Sequence, residues 1–176
     1  FLTENPDYLE RVVFVLNVVP SRDEIFKYSE RKKMIDEYVG NLNSDFGNIN
    51  WQPVVYQYRN LDFDNLLAFY TLCDLALITP VRDGMNLVAK EFVASRHDEK
   101  GVLILSEMAG SAIELSDALL INPTDIRHSA SQIKAGLEMP LEEQKERMIA
   151  MRSKVCDYDV VQWASDFMND LQATKE

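Results

Sequence analysis

The chain has 176 residues, 47% hydrophobic and 27% charged, a balance expected of one soluble globular domain that buries about 70% of its unfolded surface. Its formal net charge of −11 argues against binding nucleic acid or an anionic membrane through bulk electrostatics, so a phosphorylated ligand has to be held locally. No apolar run approaches the roughly 20 residues of a bilayer-spanning helix.

The first residue is Phe1, not Met, and the chain is expected to be a segment cut from something larger, without a secretory leader. Cys73 and Cys156 lie far apart in sequence and are expected as free, buried thiols. The expected compartment is the cytoplasm.

Residues 12–19 form a β-branched apolar run and hence a buried strand. Pro20 and Ser21 break it, and Asp23 and Glu24 begin a helix in which Ile25, Tyr28, Ile35, Tyr38, Val39 and Leu42 recur at helical spacing. Gly40 and the Asn/Gly-rich stretch to Asn50 end that helix. Arg22 stands at the strand-to-helix junction, either as a surface arginine paired with Asp23 or Glu24 or as a bidentate phosphate ligand. Residues 54–58 read as the next strand, with Tyr58 at its end and Arg59 beginning the loop after it. Asp62 or Asp64 then caps a helix with Phe63, Leu66, Leu67 and Tyr70 on one face.

Residues 75–78 are short and continuous enough to be a strand buried on both faces. A charged turn follows, then Gly84, then Asn86 as the cap of a helix over 87–94. A strand, a loop and a helix N-terminus in that order place a ligand site at the carboxyl end of a parallel strand. The first N–H groups of such a helix lack partners within it and its dipole favours phosphate or pyrophosphate. Gly84 permits close backbone approach and Asp83 offers two acceptors to sugar hydroxyls. Glu91, about a turn beyond Leu87, is in reach of a ribose diol. The plain alternative is an Asp-Gly turn with Asn86 as an ordinary cap and Glu91 as a solvated residue.

The polar run 95–100 reads as a charge-rich turn, in which His97 is a solvated residue and not a catalytic one. Residues 102–105 are another buried strand. Residues 106–112 make a small-residue turn into a helix carrying Ile113 and Leu115, where glycine and alanine permit backbone to approach a ligand or a neighbouring element. Residues 118–121 form the last strand, and Thr124 or Asp125 caps a helix reaching Met139; His128 on it has no assigned role. Pro140 breaks the chain before a charged helix, and beyond 157–159 a final amphipathic helix carries Val161, Trp163, Phe167 and Leu171. Five strands alternating with helices imply an α/β, Rossmann-like fold with a doubly wound parallel sheet. No phosphate-loop, dinucleotide, zinc or nucleophile-elbow motif occurs.

The string Arg82-Asp83-Gly84-Met85-Asn86-Leu87-Val88, followed by Glu91, resembles the nucleotide-sugar-binding signature of the trehalose-6-phosphate synthases, a family of retaining glycosyltransferases. The likeness continues through Gly101-Val102-Leu103-Ile104-Leu105-Ser106-Glu107, Ala109-Gly110-Ser111-Ala112 and Asn122-Pro123, and so covers most of the chain. It implies the carboxyl-terminal half of a two-domain GT-B glycosyltransferase. Residues 1–176 are then a single donor-binding domain, with helices in 141–176 packing on an amino-terminal acceptor domain outside the chain.

The same resemblance implies that Asp83, Gly84, Met85 and Asn86 hold the donor sugar, the backbone of Leu87 and Val88 the diphosphate, and Glu91 the ribose. Tyr58 and Arg59 fall at the base and Arg22 at the acceptor phosphate. The implied donor is UDP-glucose, with GDP-glucose as the alternative, and the implied acceptor is glucose 6-phosphate. The resemblance further implies transfer with retention, the leaving phosphate assisting the acceptor, and without a metal or other cofactor. No catalytic residue is assigned within the chain, because the family's diphosphate-binding Arg and Lys and its donor-binding His fall outside it; alone it is expected to be inactive. A related synthase using an acceptor such as glycerol 3-phosphate, and a non-catalytic nucleotide-sugar-binding regulatory module, are the competing readings.

Overall fold

Short apolar runs pair side by side, with helices between them, in a computed structural model of the chain that describes residues 1–20 and 26–174. The chain divides into two compact units, Phe1–Asn65 and Leu66–Glu176. In the first, β1 (Phe14–Val18) lies parallel to β2 (Val54–Tyr58), with Phe14 opposite Val54 and Val18 opposite Tyr58. The connection passes through helix α1 (Phe26–Phe46), the kind of crossover a parallel pair requires.

Helix α1 runs through Gly40 instead of stopping there. Gly40 has open space around it, and one interior glycine costs about 1 kcal/mol relative to alanine, too little to end a 21-residue helix. The stop comes at Gly47, whose N–H donates to the Asn43 carbonyl at 2.9 Å. The Asn43 side chain meanwhile holds both backbone groups of Val54, at 2.9 and 3.0 Å. The helix start expected at Asp23 and Glu24 lies outside the described residues.

In the second unit β3 (Leu75–Ile78), β4 (Val102–Ser106) and β5 (Leu119–Ile121) form a parallel sheet in that order, with Leu75 opposite Val102 and Ile104 opposite Leu119. The α/β architecture with parallel strands is therefore as the alternation predicts, its strands hydrogen-bonded as a pair and a triplet. Among the strands of the described residues, β4 alone, which has a neighbour on each side, is buried along its whole length. Strands β1 and β3, expected to be buried, are not: Val15 is 47% exposed and Leu77 39%. An apolar run marks a strand, but its burial depends on what covers the two faces.

Helix α2 (Phe63–Leu72) carries the chain from the first unit into the second and is capped by Asp62, whose Oδ1 accepts from the Asn65 N–H at 2.9 Å. Helix α3 spans Leu87–Ser95, α4 Ile126–Leu137, α5 Leu141–Asp157 and α6 Val160–Ala173. Asp125 and Asp159 cap α4 and α6. Ala89, Phe92 and Val93 turn inward from α3 at the i, i+3, i+4 spacing of a buried stripe. They pack with Leu103 and Leu105 of β4 and Met148 and Met151 of α5.

The helix expected after 106–112 is only a 3-10 turn, Gly110–Ala112, with Ile113 87% exposed; β5 follows too soon for a longer one. Cys73 and Cys156 are both free, Cys73 half-buried but Cys156 exposed, since it follows the inward Met148 and Met151 on the outer side of α5. Helix α6 leaves Val161, Trp163 and Phe167 exposed, the two rings stacked at 5.6 Å. No helix among the described residues is long and apolar enough to cross a membrane.

Candidate functional site

The loop between β3 and α3 is folded by its own side chains. Asn86 adopts the left-handed conformation, φ 58°, which asparagine tolerates better than most non-glycine residues. From there its Oδ1 accepts from the Ala89 N–H at 3.0 Å, capping α3, while its Nδ2 donates to Asp83 Oδ2 at 3.0 Å. Asp83 Oδ1 accepts from the N–H groups of Met85 and Asn86 at 3.2 and 3.0 Å. Three of roughly four acceptor positions on the carboxylate are thus used within the loop, leaving one on Oδ2. These donors, the Asn86 amide foremost, hold the Asp83 carboxyl below the usual carboxylate range.

The turn after β4 docks against this loop. The Gly110 N–H donates to the Asp83 carbonyl and the Ser111 N–H to the Met85 carbonyl, both at 2.9 Å, and Asp83 and Ala109 form a parallel bridge. The ladder between β3 and β4 so extends beyond the strands into the loops. A β-carbon at Gly110 would collide with the Gly84 carbonyl oxygen. The small residues of 106–112 therefore serve contact with a neighbouring loop, one of the two roles their size allows. Gly84 itself has nothing within 4 Å of where its β-carbon would lie.

At the start of α3 the Asn86 side chain occupies the Ala89 N–H, and those of Leu87 and Val88 donate to no group of the described residues. They stand at the positive end of the helix dipole, while their own side chains are exposed. Glu91 lies about 6 Å further along the axis, opposite the buried stripe, and its Oε2 accepts from the Tyr70 hydroxyl at 2.9 Å. Next to it Lys90 Nζ grips both Glu114 oxygens at 2.7 and 2.9 Å, tying α3 to the segment after the 3-10 turn.

One loop and helix start thus bring together Asp83, Gly84, Met85, Asn86, Leu87, Val88 and Glu91. Tyr58 ends β2 in the first unit, with Lys32 Nζ 5.0 Å over its ring, and Arg59 Nε donates to Gln57 Oε1 at 3.2 Å. Arg22 lies outside the described residues. His97 is exposed with Nδ1 3.0 Å from Arg152 Nη2. Among the described residues no group of three or more His, Cys, Asp or Glu side chains is placed to hold a metal.

Two residues that the sequence leaves inconspicuous shape this site. Arg96, which lies in the charge-rich run 95–100, is 4% exposed. Its Nη1 donates to the carbonyls of Tyr70, Thr71 and Cys73 at 3.0, 2.8 and 2.9 Å, and its Nε to that of Lys100 at 2.7 Å. Tyr70, expected only on an apolar helix face, is the partner of Glu91. Separations of 21 residues for Tyr70 and Glu91 and 26 for Tyr70 and Arg96 leave no local signal.

The model for glycosyltransferase family 20 matches residues 1–173. The chain belongs to that family. This family 20 chain is 50% identical over 175 residues to the bifunctional trehalose-6-phosphate synthase/phosphatase of Thermoproteus tenax, covering 99% of this chain and 24% of that protein. It is 39% identical over 173 residues to the glucosylglycerol-phosphate synthase of a Picosynechococcus species, covering 98% of this chain and 35% of that one. Among solved structures it matches a UDP-forming alpha,alpha-trehalose-phosphate synthase from Burkholderia xenovorans in complex with glucose-6-phosphate. The TM-score is 0.93 at 34% identity, over 97% of this chain and 38% of that one. The family 20 chain therefore spans well under half the length of each.

Proposed function

We propose that this chain is the donor-binding part of a retaining glucosyltransferase that moves glucose from UDP-glucose to glucose 6-phosphate, making trehalose 6-phosphate. The observation that carries the reading is the helix start itself: two N–H groups, at Leu87 and Val88, without a partner among the described residues and with the exposed Glu91 carboxylate one turn away. The N–H groups take the diphosphate and Glu91 the ribose diol. The remaining acceptor position of Asp83, with the backbone of Met85 and Asn86, takes hydroxyls of the donor glucose beside the open Gly84. By family resemblance, Tyr58 and Arg59 contact the base and Arg22 the acceptor phosphate.

In the transfer, the bond between glucose C1 and the β-phosphate oxygen breaks and a C1–O bond to the acceptor's anomeric hydroxyl forms on the same face. The hydroxyl proton passes to the departing phosphate, giving UDP and trehalose 6-phosphate. Fixed N–H dipoles at the α3 start stabilise the negative charge that grows on the diphosphate, which matters in a chain of net charge −11. The rest of the machinery comes from an amino-terminal domain of a longer, cytoplasmic GT-B protein, against which helices in 141–176 pack. The UDP-forming Burkholderia xenovorans enzyme, solved with glucose-6-phosphate, supports this donor and acceptor.

Calorimetric titration of the full-length protein with UDP-glucose and GDP-glucose tests the site, and turnover with glucose 6-phosphate or glycerol 3-phosphate tests the acceptor. The expected result is UDP-glucose binding, weakened in Glu91→Ala and Asp83→Ala, with turnover on glucose 6-phosphate. Turnover on glycerol 3-phosphate alone would align the protein with its glucosylglycerol-phosphate synthase relative. Failure of the full-length protein to bind either donor would overturn the reading.

A further inference from the structure

A glutamate on an exposed helix face has several side-chain rotamers of similar energy, and a ribose ligand has to be held in one of them. Tyr70 restricts Glu91. Its hydroxyl, reaching from α2, donates to Glu91 Oε2 at 2.9 Å. Tyr70 is itself fixed at two points. Its ring meets Phe92 edge-on, centroids 6.4 Å apart at 76°, and Phe92 is fully buried. Its carbonyl accepts from buried Arg96, which also grips the carbonyls of Thr71 and Cys73. The end of α2 is thereby fastened to the end of α3, and the phenol is presented to Glu91 from a rigid base.

We propose that Tyr70 is a positioning residue for donor binding: it occupies one oxygen of the Glu91 carboxylate and turns the other toward the ribose. The inference rests on the reading of Glu91 as the ribose ligand. Burial foremost, and the Glu91 carboxylate next, push the Tyr70 phenol above its ordinary range, so it remains a donor throughout neutral pH.

Steady-state kinetics on the full-length protein tests this with Tyr70→Phe, which keeps the ring against Phe92. The expected result is a roughly tenfold rise in KM for UDP-glucose, the scale of one lost hydrogen bond to a charged group. The values of kcat and of KM for the acceptor stay unchanged, as for lost uniform binding. Adding Tyr70→Phe to Glu91→Ala produces no further rise, and with a donor lacking the ribose 2′ and 3′ hydroxyls the Tyr70→Phe effect disappears. An unchanged donor KM in Tyr70→Phe, alongside a raised one in Glu91→Ala, overturns the role of Tyr70 and leaves the Glu91 reading intact. An unchanged donor KM in Glu91→Ala overturns the reading beneath it. A full Tyr70→Phe effect in the Glu91→Ala background shows action through another group and also overturns the proposal.

Discussion

Gly110 lies against Gly84 so closely that a β-carbon on Gly110 would collide with the Gly84 carbonyl oxygen and stand 3.3 Å from the Met85 nitrogen. The reverse does not hold, since a β-carbon on Gly84 meets nothing within 4 Å. Gly110→Ala is expected to push the two loops apart and break the hydrogen bonds from Gly110 and Ser111, a loss of about 2 kcal/mol at about 1 kcal/mol each. Gly84→Ala should leave urea unfolding within about 0.5 kcal/mol of the parent and yet lower donor affinity, because its methyl enters space assigned to the ligand. Denaturation and calorimetry on the same two variants check both halves; Gly84→Ala with unaltered donor affinity would remove Gly84 from the site.

Arg96 closes the carboxyl end of α2 with donors that no other side chain replaces. Arg96→Ala strips four backbone carbonyls of their partner and is expected to destabilise the fold by about 3–5 kcal/mol, the scale for dismantling a buried charged network. Arg96→Lys should recover only part, because one ammonium cannot reproduce the guanidinium fork. Gly101, at φ +89°, would carry a β-carbon 3.1 Å from that guanidinium, so Gly101→Ala should share some of the loss. Chemical denaturation gives rising stability in the order Arg96→Ala, Arg96→Lys, parent, with Gly101→Ala also below the parent, and full recovery by lysine would contradict it.

The contrast between Arg96 and Asn86 explains what was legible in the sequence. Asn86 acts within three residues, on Asp83 and Ala89, so its capping role follows from the local string. The parallel strands were equally readable, because each is a local apolar run bounded by turn residues. Arg96 sits in the polar stretch 95–100, and nothing nearby separates it from a solvated residue; three of its four carbonyl partners, those of Tyr70, Thr71 and Cys73, arrive only when α2 and α3 pack. The same holds for Tyr70 and Glu91. The exposure of Val15 and Leu77 was hidden for a related reason, since the cover over a strand's faces is not encoded in the strand. In Gly40 the sequence overstated a signal, because propensity near 1 kcal/mol yields to the surrounding helix.

The two thiols should separate by reactivity. Cys156 is exposed while Cys73 is half-buried, and burial pushes the Cys73 thiol above its ordinary range despite the nearby Arg96 charge. Since the thiolate is the nucleophile, iodoacetamide at neutral pH is expected to label Cys156 first and Cys73 only slowly, in proportion to local opening. Peptide mapping by mass spectrometry reads the order. Equal labelling rates would show that the end of α2 opens freely and that Arg96 does not fasten it.

Asp83 gives the site a pH dependence of definite sign. Its carboxyl is depressed in the folded chain, first by the Asn86 amide and then by the Met85 N–H, whereas in the unfolded chain it titrates near the ordinary value of about 4. The folded state therefore binds the proton more weakly than the unfolded state, and the ionised carboxylate stabilises the loop. That contribution is fully present above the unfolded value and is lost as pH falls through it toward the lower folded one. Asp83→Asn removes the titrating group, so the stability gap between parent and variant is expected to be flat from about pH 6 to 8 and to shrink below about pH 4. Paired urea denaturation across that range measures the gap. A gap that widened on acidification would mean that the Asp83 carboxyl is raised, not depressed, and that its hydrogen bonds to Met85 and Asn86 do not hold the loop in solution.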